Sequence, residues 1–165
     1  MDSSNSYVNY VPALFHVLNE FSGGVGLSIE DITRYLKTEY PQITDNEINI
    51  MIEEGIKAGK LIELLGENGP IAIPEIVIPI LQLSPNQFTN LTNYVDVITK
   101  TLHSENECHV LITKIETMIK LGYLKATIEF GIKVKLNPKV LKYVRLESPI
   151  PNLDDFYQQY NNVLY

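Results

Sequence analysis

Between residues 123 and 145 the chain carries Lys125, Lys133, Lys135, Lys139, Lys142 and Arg145, opposed by one acid, Glu129. Cations concentrated in this way release counterions from a phosphate backbone or neutralise an acidic protein surface. Lys133 and Lys135 alternate with Ile132, Val134 and Leu136, so a strand here holds both amines on its wet face and the apolar trio in the core. The same lysines suit a solvated strand edge guarded against aggregation. Three readings therefore stand side by side: a guarded edge, a nucleic-acid contact and an acidic-partner contact. The opposite charge gathers earlier, where Asp45, Asn46, Glu47, Asn49, Glu53 and Glu54 face only Lys57 and Lys60. A helix that reads a DNA groove needs Arg, Lys, Asn or Gln on its exposed face. Phosphates repel this one, so Glu53 and Glu54 read as a solvated acidic face or a protein-partner contact.

Other groupings carry less chemistry. Gly23-Gly24-Val25-Gly26 follows no strand and precedes no Lys-Ser/Thr pair, so it reads as a loop rather than a phosphate cradle. His103, Cys108 and His109 cluster, but a structural zinc site needs a fourth ligand and the chain has one further histidine, His16. Glu53-Glu54 and Asp154-Asp155 are paired acids with nothing that places them in a pocket. No catalytic, metal or cofactor site is expected. The tail from Ser148, SPIPNLDDFYQQYNNVLY, spaces Phe156, Tyr160 and Leu164 four residues apart, with Tyr157 beside them. As a helix this is an apolar stripe that either folds back onto the body or docks in a partner's groove.

The bulk numbers frame these sites. The 165 residues are 45% hydrophobic and 20% charged, an ordinary globular balance. The formal net charge of -7 excludes a surface that grips phosphates everywhere, but the average hides an asymmetry. Residues 1–83 hold four basic and twelve acidic side chains, residues 84–145 nine and five, and residues 146–165 none and three. No signal-peptide pattern opens the chain, and its most apolar stretch, 71–83, is broken by Pro74, Glu75 and Pro79, so no membrane span is expected. A single cysteine fits a reducing compartment, and the expected location is intracellular.

The elements that must position these residues form a repeat. Ile48, Ile52, Glu53, Ile56, Lys57, Gly59 and Leu61 correspond at constant offset to Leu111, Ile115, Glu116, Ile119, Lys120, Gly122 and Leu124, and SIEDITRYL (28–36) echoes YVDVITKTL (94–102). In the first copy, Leu14, Val17, Leu18 and Phe21 mark one helix face over 12–21. Ser28 caps a second helix with Ile29, Ile32, Tyr35 and Leu36 inward, and Thr44 with Glu47 opens a third, with Ile48, Met51, Ile52 and Ile56 buried and Gly59 ending it. Residues 61–65 and 70–73 then pair across Gly66-Glu67-Asn68-Gly69. In the second copy Ser84-Pro85-Asn86-Gln87 predicts a first helix over 85–91. Helices over 94–102 and 107–121 and a hairpin around Glu129-Phe130-Gly131 follow, and Asn137 caps a further helical turn. Residues 73–83 suit either a strand or a broken helix.

On Leu14, Val17, Gly26, Ser28, Ile32, Ile48, Ile56, Gly59, Leu61 and the glycine-bearing turn 66–69, the first copy resembles the globular domain of linker histones over somewhat less than half the chain. That resemblance implies a winged-helix fold and a nuclear setting. Linker-histone domains are rich in Lys and Arg, whereas this copy is acidic. The expectation is an α+β chain, mainly helical with small hairpins. It comprises an arm over 1–10, winged-helix modules over 11–75 and 76–147, and a tail over 148–165. Its expected role is a non-enzymatic adapter for protein partners in a chromatin or transcription-associated assembly. The alternative is a nucleic-acid binder working through the basic second hairpin.

Overall fold

The computed structural model describes residues 10–101 and 108–144. The fold is α+β, with six α-helices and two small antiparallel sheets, of two and three strands, among the described residues. The chain divides into two compact units, Met1–Pro79 and Ile80–Tyr165.

The first unit packs helices α1 (Val11–Ser22), α2 (Ile29–Glu39) and α3 (Asp45–Lys57) against a hairpin of β1 (Ile62–Glu63) and β2 (Ile71–Ala72), followed by the short α4 (Pro74–Val77). Its core is built from Leu14, Leu18, Ile32, Leu36, Ile48, Ile52 and Ile71, all at most 3% exposed. Ile76 packs against that core, which carries the unit past residue 75. Local chemistry sets the helix ends. Pro12 lies in the first turn of α1, and Gly23 closes it in the left-handed region at φ 63°. Ser28 accepts from the Asp31 N–H at 3.1 Å to start α2. At α3 the Thr44 hydroxyl accepts from the Glu47 N–H, while the Glu47 carboxylate accepts from the Thr44 N–H, each at 3.1 Å. Thr44→Ala removes one half of this reciprocal pair and is expected to cost about 1 kcal/mol. A lowered urea midpoint, recovered by Thr44→Ser, is the measurement.

Phe21 departs from its expected place: it is 45% exposed and stacks face to face on Tyr35, with ring centroids 3.7 Å apart. Lying at the end of α1, it finds an aromatic partner on α2 rather than a seat in the core. Ile29, Tyr35 and Ile56, also expected inward, are half-buried.

The glycine loop 23–26 is fully occupied by the protein's own bonds. Successive N–H groups of Gly23, Gly24 and Val25 donate to the carbonyls of Asn19, Leu18 and Ser22, and Leu27 N–H donates to Ile71. Gly26 N–H donates to the Ser22 hydroxyl. No donor is left for a phosphate, so the loop ties α1 to the hairpin.

The second unit opens with an extended segment whose Ile80, Leu81 and Leu83 are at most 2% exposed. β3 (Thr89–Asn90), α5 (Leu91–Thr101), α6 (Cys108–Leu121), β4 (Leu124–Thr127), β5 (Lys133–Leu136) and a 3-10 turn (Pro138–Lys142) follow. The helix expected over 85–91 is absent. Ser84 accepts from the Asn86 N–H in a local turn, and Thr89 and Asn90 pair with Val134 and Lys133. Asn90 then caps α5 by accepting from the Thr92 N–H at 2.9 Å. Ladder bonds to β5 thus win over the local cap signal. The sheet order is β3-β5-β4. The first unit holds an abbreviated counterpart, since Leu27, just before α2, bridges Ile71 as β3, just before α5, pairs with β5. Residues 73–83, for which strand and broken helix both stood open, form α4, a turn and extended chain.

The repeat is visible in the backbone. Gly59 N–H donates to Ile56 and Lys60 N–H to Gly55; at the same offset Gly122 N–H donates to Ile119 and Tyr123 N–H to Met118. Gly59 and Gly122 have φ 75° and 93°, which glycine adopts without a Cβ penalty.

Candidate functional site

The sequence brings charge of opposite sign to two hairpins, one in each unit. In the second unit, β4 and β5 align Lys125 with Lys135 and Thr127 with Lys133, and β3 sets Asn90 beside Lys133. Since side chains alternate along a strand, Lys125, Thr127, Lys133 and Lys135 share one face, while Leu124, Val134 and Leu136 line the buried one. Like charges directly opposite each other destabilise a sheet, yet Lys125 and Lys135 occupy such a pair. Part of the offset is visible at Lys135, whose ammonium lies 4.7 Å from the Phe88 ring centroid. Lys139 and Lys142 are exposed on the 3-10 turn, where Lys142 lies 5.5 Å from the Tyr143 ring. Arg145 lies outside the described residues.

Ile132 corrects the expected strand pattern. It is 48% exposed rather than buried with Val134 and Leu136, because β5 begins at Lys133 and Ile132 belongs to the connecting loop. With it in that loop stand Ile128, 83% exposed, and Phe130, 97% exposed. Phe130 takes φ 56° and Gly131 φ 100° to reverse the chain. The hairpin therefore carries an apolar tip on a cationic stem. Ile128 and Phe130 were missed as candidates, although large apolar residues where a turn favours Gly, Asn or Asp are a legible signal.

The first unit holds a cleft of about 490 Å³. Ile29 of α2 and Ile52 and Ile56 of α3 form its apolar part, while Glu53 of α3, Glu63 of β1 and Glu67 of the hairpin turn supply carboxylates. Asn49 and Asn68 add amides. Of the two acids singled out on α3, Glu53 lines this cleft, whereas Glu54 does not and lies 3.9 Å from the Lys57 amine. The cleft draws on α2, α3 and the hairpin, which no local pattern in the sequence could reveal.

Elsewhere the site chemistry is sparse. His109 is exposed at the start of α6, and the Cys108 side chain and His103 lie outside the described residues. So do Phe156, Tyr157, Tyr160 and Leu164 of the tail. Among the described residues, no three His, Cys, Asp or Glu side chains converge as a metal would require, and no helix is long and apolar enough to cross a membrane. Among the described residues, the displaced titrating groups are two tyrosines, Tyr94 and Tyr123, whose burial pushes the phenols well above their ordinary range. Both belong to the second unit's core, where the Tyr94 hydroxyl donates to the Ile80 carbonyl. No protein-family model, curated protein or solved structure matches the chain.

Proposed function

We propose that the chain is a non-enzymatic adapter built of two winged-helix modules, and that the cleft of the first unit receives a cationic, partly apolar segment of another protein. The observation that carries this reading is the placement of Glu53, Glu63 and Glu67 around Ile29, Ile52 and Ile56. The half-buried Ile29 and Ile56 provide area to bury over the core residue Ile52, and carboxylates select positive charge and accelerate its approach. The winged-helix reading draws support from the shared order of helix, helix and ribbon in both units, with a short pairing segment before each leading helix of that order. A nuclear setting, in a chromatin or transcription-associated assembly, follows the linker-histone resemblance.

The test is titration of the full chain with a labelled peptide alternating Lys with Ile, against a control with Glu in place of Lys. Binding of the cationic peptide alone is expected. Glu53→Lys with Glu67→Lys should weaken it by at least about tenfold, since like-charge juxtaposition costs several kcal/mol. Equal binding of both peptides, or indifference to the substitutions, removes the reading.

A second reading rests on a separate observation, the shared face of Lys125, Lys133 and Lys135 with Phe88 and Asn90 at its border. Such a face suits a nucleic-acid backbone. Under this reading duplex DNA binds at low salt, and Lys135→Glu lowers the salt slope by about 1. Absence of binding at low salt leaves the adapter alone.

A further inference from the structure

The tip of the second hairpin has chemistry that its own unit does not use. Phe130 is 97% exposed in the left-handed region, where a bulky side chain is strained and Gly or Asn would serve the turn better. Ile128 and Ile132 extend the apolar surface, and Lys125, Lys133 and Lys135 stand on the strands behind it. Exposed apolar surface flanked by charge marks an interaction site. Its complement must offer an apolar floor, acids around it and a donor for Glu129. A lipid surface fits poorly, because Glu129 sits between the two most exposed apolar residues and would have to be immersed with them.

The cleft of the first unit offers the required set: isoleucines in Ile29, Ile52 and Ile56, carboxylates in Glu53, Glu63 and Glu67, and amide donors in Asn49 and Asn68. We infer that the partner held in this cleft is a second copy of the chain, which inserts the tip of its second hairpin, Phe130 leading and the lysines meeting the glutamates. This rests on the reading of the cleft as a protein-docking site. The contact joins different surfaces of two copies, so it propagates head to tail into a ring or an open chain. A hairpin tip is a small interface, so the association is weak and concentration-dependent.

Sedimentation of the full chain over a concentration series tests this directly. Wild type is expected to rise in average mass with concentration, and less steeply as salt screens the lysine–glutamate attraction. Phe130→Asp alone and Glu53→Lys with Glu67→Lys alone should each remain monomeric; all three positions are exposed, and circular dichroism checks that both variants fold. Mixed together they should form a one-to-one dimer, because one supplies an intact cleft and the other an intact tip. A monomeric wild type, self-association of either variant like wild type, or a mixture that stays monomeric overturns the inference. If the Lys/Ile peptide still binds the cleft in those cases, the docking site stands and only the identity of its occupant falls. If the peptide fails as well, both fall.

Discussion

Gly24→Val is expected to cost the first unit about 3 kcal/mol or more, a large fraction of the roughly 5–15 kcal/mol that keeps an ordinary domain folded. Two effects add. Gly24 has φ 84°, where a β-branched side chain is strained. A Cβ built there would also lie 2.5 Å from Ile76 Cδ1 and 3.4 Å from Ile73 Cδ1. Retreat is blocked on the backbone side, because Gly24 N–H donates to Leu18 and its carbonyl accepts from Ile73, both at 2.9 Å. The position therefore joins the end of α1 to the start of α4. Gly59 separates the two effects: at φ 75° its added Cβ meets nothing within 4 Å. Gly59→Ala should cost about 1–2 kcal/mol from backbone conformation alone, and Gly24→Ala distinctly more. Urea unfolding of the three variants decides, and equal losses for Gly24→Ala and Gly59→Ala would show that the Ile76 contact gives way freely.

Alkali is expected to destabilise the second unit steeply. Tyr94 and Tyr123 are both fully buried, and desolvation raises their pKa far above the ordinary value near 10. Below about pH 10 both phenols are protonated whether the chain is folded or unfolded, so their contribution is fully present. Above it the unfolded chain releases protons that the folded unit retains, and stability is lost as pH climbs toward the raised folded values. Two groups together give a slope of about 2.7 kcal/mol per pH unit in that window. Measured as urea midpoint against pH from 10 to 12, the slope should halve in either Tyr→Phe variant. At neutral pH the two substitutions should part. Tyr94→Phe leaves the Ile80 carbonyl without its donor and costs about 1–3 kcal/mol, whereas the Tyr123 hydroxyl has no partner among the described residues, so its loss should be neutral or stabilising. An unchanged slope in both variants would place the alkaline sensitivity elsewhere.

The readable parts of this chain were those fixed by bonds between near neighbours. Thr44 and Glu47 close a capping box three residues apart, and Gly59 and Gly122 end helices that their apolar stripes had already marked. What escaped was decided at long range. The cap chemistry of Ser84-Pro85-Asn86-Gln87 is real, but Thr89 is claimed by Val134, and a helix over 85–91 would break that ladder. Ile132 continues the alternation of β5 on paper, yet the strand begins one residue later and leaves it wet. At the site, the shared face of Lys133 and Lys135 followed from period two alone, while Lys125 joins it through the register of β4 on β5. The partner ring under Lys135 came from Phe88, far off in sequence, and the cleft needed three elements brought together.

The duplicated helix ending bears on how alike the two halves of the nascent polypeptide are. At matched positions Gly55 answers to Met118, and the exposed Lys60 answers to the buried Tyr123. A Cβ on Gly55 would stand 2.6 Å from Leu61 Cδ1, so Met118 of a misplaced α6 would require Leu61 to move. Tandem sequences that stay alike invite misassembly during synthesis. Here Leu61 fills the space that a side chain at position 55 would need, so the first ribbon distinguishes its own helix from the counterpart that carries Met118.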